Sequence, residues 1–181
     1  MHLSPEYNLV KSYYGDQRAK RSGVLKMNHI DEGIEMLRVM GASELAIKAY
    51  CLHPLAQGGD FGWEMVLTTP GLNPKAVILS TQYRDKANAY LCRPNTDHYT
   101  VESLNDVIGP LSQDLIHMLV ADKIQNEKDF DLYHKGTHAR SAELSRYFCI
   151  WLDYLEVAEA NLKKESGRLK YRHKYRDHKK K

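Results

Sequence analysis

Residues 29–54 read HIDEGIEMLRVMGASELAIKAYCLHP, and their reading decides the fold. Apolar side chains recur at Ile30, Ile34, Leu37 and Val39/Met40, with Asp31, Glu32, Glu35 and Arg38 between them. That is the 3.6-residue period of a helix with one buried face. Gly41 then stops the helix, and Ser43 is placed to cap a second one, its oxygen accepting an amide of the first turn. The second helix is predicted from Glu44 to His53. Pro54 ends it, because proline brings no amide hydrogen and crowds the preceding turn. At 1.5 Å per residue each arm is roughly 16 Å long, so a tight antiparallel turn sets the start of one beside the end of the other. His29 and His53 occupy those two positions.

The rest of the chain reads in the same period. A short helix is predicted over Pro5–Tyr14, and Pro74 opens another through Ala76, Val77, Leu79, Tyr83, Ala87 and Tyr90/Leu91. A short helix follows Thr100, and Gly109–Pro110 breaks the chain before a helix over Leu115–Phe130. A long last helix runs from Ser141 to about Lys164, its core face carrying Leu144, Tyr147/Phe148, Trp151, Leu152, Leu155 and Val157/Ala158. Gly15–Gly23, the glycine- and proline-rich Leu55–Pro74, and Arg93–Thr100 are predicted loops. No segment alternates with period two between hairpin turns. The fold class is all-α, with a helical domain over residues 1–165 and a basic C-terminal tail over 166–181.

A chain of 181 residues that is 43% hydrophobic can bury one core. No apolar run reaches membrane length, and MHLSPEYNLVKSYYG has no charged leader before an apolar stretch, so a cytoplasmic protein without a membrane partner is expected. Cys51, Cys92 and Cys149 sit in apolar settings such as AYCLH and YFCIW, and read as buried thiols of a reducing compartment. Arg168–Lys181 holds eight Lys/Arg and one acid, so the net charge of +3 hides +7 here against −4 over residues 1–167. Such a tail suits weak, salt-sensitive contact with nucleic acid, on which Tyr171 and Tyr175 can stack; a solvated continuation of the last helix is the alternative.

The chemistry turns on a third residue, Asp122. Leu115, Leu119, Ala121 and Ile124 give its helix a buried stripe, and an unpaired carboxylate among apolar neighbours is costly. A metal ion, an arginine or a lysine removes that cost. Two imidazoles with one carboxylate suit Mn, Zn, Fe or Co better than Ca or Mg, and Mn is the expected ion. The plain alternative is a pair of hydrogen-bonded, half-buried histidines, with Asp122 paired to a lysine. His134 and His138 also stand four apart, but Gly136–Thr137 between them suggests a turn capping the last helix.

Four stretches together resemble the HD-domain alarmone hydrolases of the RelA/SpoT type and their small stand-alone relatives. GDQRAKRSGVLKMNH, residues 15–29, is similar to the family's opening motif through Gln17, Arg18, Gly23, Asn28 and His29. AYCLHPL, residues 49–55, is similar to the second-histidine motif, and LVADKIQNEKDF, residues 119–130, to the later motif. RYFCIW, residues 146–151, looks like the aromatic end helix. The similarity covers roughly Tyr7–Leu155, and it implies an HD-domain-like helical bundle. It also implies His29, His53 and Asp122 as metal ligands, Asn126 as a nucleotide contact, Arg18 stacking on a base and Tyr147 in the pocket.

Two departures stand out. The family's His-Asp pair is His53-Pro54 here, which removes one metal ligand, and its water-positioning Glu-Asp pair falls near Gln57 and Gly58. Asp60 is the carboxylate that can replace the lost base, and Lys20, Arg84 and Lys86 are candidate phosphate contacts beside Arg18. The expectation is a divergent metal-dependent phosphohydrolase acting on a nucleotide or nucleotide-derived signal. The alternative is a catalytically degenerate HD-fold nucleotide-binding protein.

Overall fold

The computed structural model describes residues 4–20, 22–91 and 100–164. Among them it is all-α, and eight helices follow in order: α1 Pro5–Tyr14, α2 Lys26–Val39, α3 Glu44–Gln57, α4 Gly59–Thr68, α5 Pro74–Ala89, α6 Val101–Ile108, α7 Gln113–Tyr133 and α8 Ser141–Lys164. No described helix is long and apolar enough to cross a membrane. The basic tail, Cys92 and nearly all of the Arg93–Thr100 stretch lie outside the described residues.

The bundle is built around α3, which touches α1, α2, α4, α5 and α7. Every residue from Ala49 to Ala56 is buried, as expected of a helix enclosed on all sides. Side-chain caps set the starts of α3 and of its neighbour α7: Ser43 accepts from the Ala46 amide at 3.0 Å, and Ser112 from the Leu115 amide at 3.3 Å. Thr100 and Ser103 form a capping box on α6. The buried Glu6 of α1 accepts from the Asn73 amide at 2.7 Å and ties α1 to the start of α5. Across the bundle α8 closes the far ends of α5 and α6. The Tyr90 carbonyl accepts from Tyr147 Oη at 3.1 Å and Trp151 Nε1 at 3.3 Å, and the Gly109 carbonyl from Tyr154 Oη at 3.1 Å.

Four expectations need correction. Helix α2 begins four residues before Ile30, at Lys26, so His29 belongs to its first turn. Pro54 does not end α3; the helix continues to Gln57. The stretch Leu55–Pro74 is mostly helix, and two of its glycines, Gly58 and Gly62, serve close packing. A Cβ on Gly62 would lie 2.6 Å from the Leu55 carbonyl oxygen, so only glycine lets α4 approach α3 there. Cys51 is buried, but Cys149 is exposed: it falls between Phe148 and Ile150 on a helix whose core face runs through Tyr147, Trp151 and Tyr154.

Candidate metal centre

The turn at Gly41–Ser43 returns α3 alongside α2, and α7 packs against both. Three side chains from three helices meet there. His29 Nε2 and His53 Nε2 are 3.1 Å apart, and Asp122 Oδ1 lies 3.4 Å from the first and 3.9 Å from the second. The circle through three atoms so spaced has a radius of about 2.0 Å, an ordinary metal–nitrogen or metal–oxygen bond length. His53 and Asp122 are buried and His29 is half-buried.

What surrounds the imidazoles decides their protonation. His53 Nδ1 lies 2.6 Å from the Tyr50 carbonyl, which can only accept, so the ring carries its proton on Nδ1. His29 Nδ1 meets Gln125 Oε1. The Gln125 amide cannot be turned the other way, since its Nε2 donates to Asp129 Oδ2 at 2.8 Å and a carboxylate offers no proton. His29 therefore also carries its proton on Nδ1. Burial, then the neighbouring His29, push His53 down to about 3, so its ring is neutral at physiological pH. The close approach of His53 to Asp122 is accordingly not an ion pair. Two imidazole Nε2 atoms and a carboxylate oxygen converge, and the neutral His53 presents its Nε2 as a lone pair. Fixing each Nδ1–H on a protein acceptor is how protein metal sites hold their histidines.

Pro54 fits this arrangement. A helical residue at 54 would donate its amide to the Tyr50 carbonyl four residues back; proline has no such hydrogen, and His53 Nδ1 takes the carbonyl instead.

Asp122 is oriented from both sides. Oδ2 accepts from Lys123 Nζ at 3.1 Å and Oδ1 from Asn126 Nδ2 at 2.9 Å. Burial by itself raises the carboxyl, but the adjacent Lys123 ammonium brings it down to about 2. Lys123 is itself buried, with Nζ 4.9 Å from the Trp151 ring centroid and 5.7 Å from that of Tyr147. Burial opposes its charge, yet the Asp122 carboxylate holds the ammonium above its ordinary pKa. The lysine alternative and the cluster thus coexist: Lys123 takes one carboxylate oxygen and leaves the other facing the histidines. Burial, with the Asp122 charge, pushes Tyr50 and Tyr83 well up, so both remain protonated beside the rings.

The cluster forms the floor of a cleft of about 420 Å³, walled by Tyr13, Tyr14, Lys26, Pro54, Gln57, Gly58 and Asn126. Of the residues singled out in the sequence, His29, His53, Asp122 and Asn126 line it together. The others stand outside the lining. Asp60 is exposed in the first turn of α4, and Lys20 is exposed in the loop after α1. Arg18 donates to the Gly23 carbonyl at 2.8 Å and closes that loop. Arg84 pairs with Asp85 at 3.2 Å beside Trp63, Lys86 donates to the Ile108 carbonyl, and Tyr147 is buried against α5. The sequence reading missed Gln125, Lys26, Tyr13, Tyr14 and Tyr50. Gln125 was within reach, since it follows Asp122 by three residues and shares its helix face.

Fold and site together define an all-α bundle with a two-histidine, one-carboxylate centre able to hold a metal ion. No family model, curated protein or solved structure matches the chain.

Proposed function

We propose that the protein is a metal-dependent phosphohydrolase acting on a nucleotide or nucleotide-derived signal, with a divalent transition ion held by His29, His53 and Asp122. The observation that carries this reading is the convergence of three candidate ligand atoms whose orientations are set by Tyr50, Gln125, Lys123 and Asn126. Manganese, zinc, iron or cobalt suits that donor set. Such an ion supplies Lewis acidity toward a phosphate oxygen and toward water. The chain itself orients the ligands, keeps His53 neutral, and presents the Lys26 ammonium at the cleft wall. The four stretches that resemble alarmone-hydrolase motifs support the same reading.

A second reading, a nucleotide-binding protein without turnover, is favoured by the composition of the wall. Gln57 and Gly58 line the cleft where the resemblance expects an acidic pair, and neither takes a proton. Asp60, on the surface of α4, stands apart from that lining.

The test joins metal content to turnover. Chelator-free protein should carry about one transition ion per chain and lose it in His53→Ala. With manganese and a nucleotide panel including alarmones, phosphate or pyrophosphate release that vanishes in Asp122→Ala supports the hydrolase. Metal and nucleotide binding without release selects the silent binder. Failure to take up any metal overturns the metal-dependent reading.

A further inference from the structure

We infer that the cleft is built for a nucleoside bearing a single phosphate, its base against Tyr13 and Tyr14 and its phosphate between Lys26 and the metal centre. This rests on the reading above and narrows it to a ligand class. The first ground is the supply of cations. Apart from the two histidines, Lys26 is the one basic side chain among the described residues of the lining, fixed by a 2.9 Å bond from Nζ to Gln17 Oε1. Of the other candidate phosphate contacts, Lys20 is exposed outside the lining and the rest are engaged elsewhere. Arg18 holds Gly23, Arg84 lies between Asp85 and Trp63, and Lys86 closes the end of α6. Lys123 stands behind Asp122, against Trp151. Phosphate groups are bound by charge-assisted hydrogen bonds, and each further group needs its own donors. One ammonium beside one ion serves one phosphate; a second would leave the cleft without a cationic partner.

The second ground is the aromatic wall beside Lys26. The Tyr13 and Tyr14 rings have centroids 5.3 Å apart, and Phe61 braces Tyr13 from α4 at 6.4 Å. Gly58 makes room for the Tyr13 hydroxyl, since a Cβ there would lie 2.7 Å from it. Lys26 Nζ stands 5.5 Å from the Tyr14 ring centroid, so cation and aromatic wall adjoin. Aromatic side chains held in this way stack on nucleobases with little preference among them. A cleft of about 420 Å³ lies in the range of small-ligand sites.

Calorimetry on the full chain loaded with manganese tests this with adenosine, ribose 5-phosphate, and adenosine mono-, di- and triphosphate. The monophosphate should bind at least about tenfold tighter than adenosine or ribose 5-phosphate, and no weaker than the triphosphate. Lys26→Gln should remove the advantage over adenosine. Tyr14→Leu should remove the advantage over ribose 5-phosphate, with unchanged circular dichroism showing that both variants fold. Triphosphate binding tenfold tighter than monophosphate overturns the inference, as does ribose 5-phosphate binding as tightly as the nucleotide. So does a manganese-loaded protein that binds none of the five, and in those three cases the metal centre stands. If the protein takes up no manganese, the metal reading falls and this inference with it.

Discussion

At one end of the bundle His29 and His53 turn their Nε2 atoms toward each other, while in the turn between α7 and α8 His138 takes the Arg140 amide hydrogen on Nδ1 at 3.0 Å. A neutral ring that accepts on Nδ1 carries its proton on Nε2, the reverse of the tautomer imposed on His53 by the Tyr50 carbonyl. His134, four residues before His138, contributes its carbonyl to the same turn, accepting from the amides of Thr137 and His138. Both regions hold paired histidines, and spacing alone does not separate them. What separates them is the partner of Nδ1. A carbonyl or a fixed amide oxygen there leaves Nε2 as a free lone pair, whereas a backbone N–H there makes the ring a cap.

The largest effect should come from exchanging the two regions' histidines for alanine. His53→Ala removes a ligand, and should weaken manganese binding by more than the roughly 10–100-fold typical of losing an outer partner. His138→Ala should leave the affinity within about twofold, while loosening the turn. Calorimetric titration of both variants checks this. Equal losses in the two would erase the distinction drawn above.

Gly33 comes next, and tests the packing behind the first pair. It stands on α2 one turn after His29, and a Cβ there would lie 2.2 Å from the hydroxyl of the fully buried Tyr50. Gly33→Ala should therefore cost about 1–3 kcal/mol by overpacking, although alanine is the better helix former. Urea denaturation of the two proteins would show it. A variant as stable as the parent would mean that Tyr50 is free to move, and with it the carbonyl that sets His53.

These contrasts also mark what can be read from sequence. The helix starts at Ser43, Pro74 and Thr100 were legible because start signals are local, and so was the return of α3 onto α2 through Gly41. The shared end of His29 and His53 followed from helix lengths, and Asp122 from a lone acid on an apolar stripe. The Gln125–His29 contact was not legible, since it joins residues 96 apart through the packing of α7 on α2. Pro54 misled for a related reason. Its effect on helix length depends on whether the carbonyl it strands finds another donor, and that donor is a side chain. Gly62 read as loop because the sequence does not show the helix pressed against it.

Gln125→Leu should rank third. It takes the acceptor from His29 Nδ1, freeing the ring to turn or change tautomer, and should weaken manganese binding about tenfold. Gln125→Glu keeps an oxygen in place and should restore most of the affinity. If leucine and glutamate behave alike, position 125 only fills space.

Pro54→Ala should have the smallest effect and discriminate most sharply. It supplies an amide hydrogen that seeks the Tyr50 carbonyl, now held by His53 Nδ1 at 2.6 Å. A carbonyl has two lone pairs, so the newcomer shares it rather than evicting the ring. The loss in manganese affinity should accordingly be about threefold, with a matching change in the His53 ring nitrogen signals by NMR. Alanine is also the better helix residue by up to about 3 kcal/mol, offset in part by packing lost at a buried site. Stability should thus hold or rise while affinity falls. A proline that merely fills the core would move both downward together, and opposite movement is what marks it as holding His53 in place.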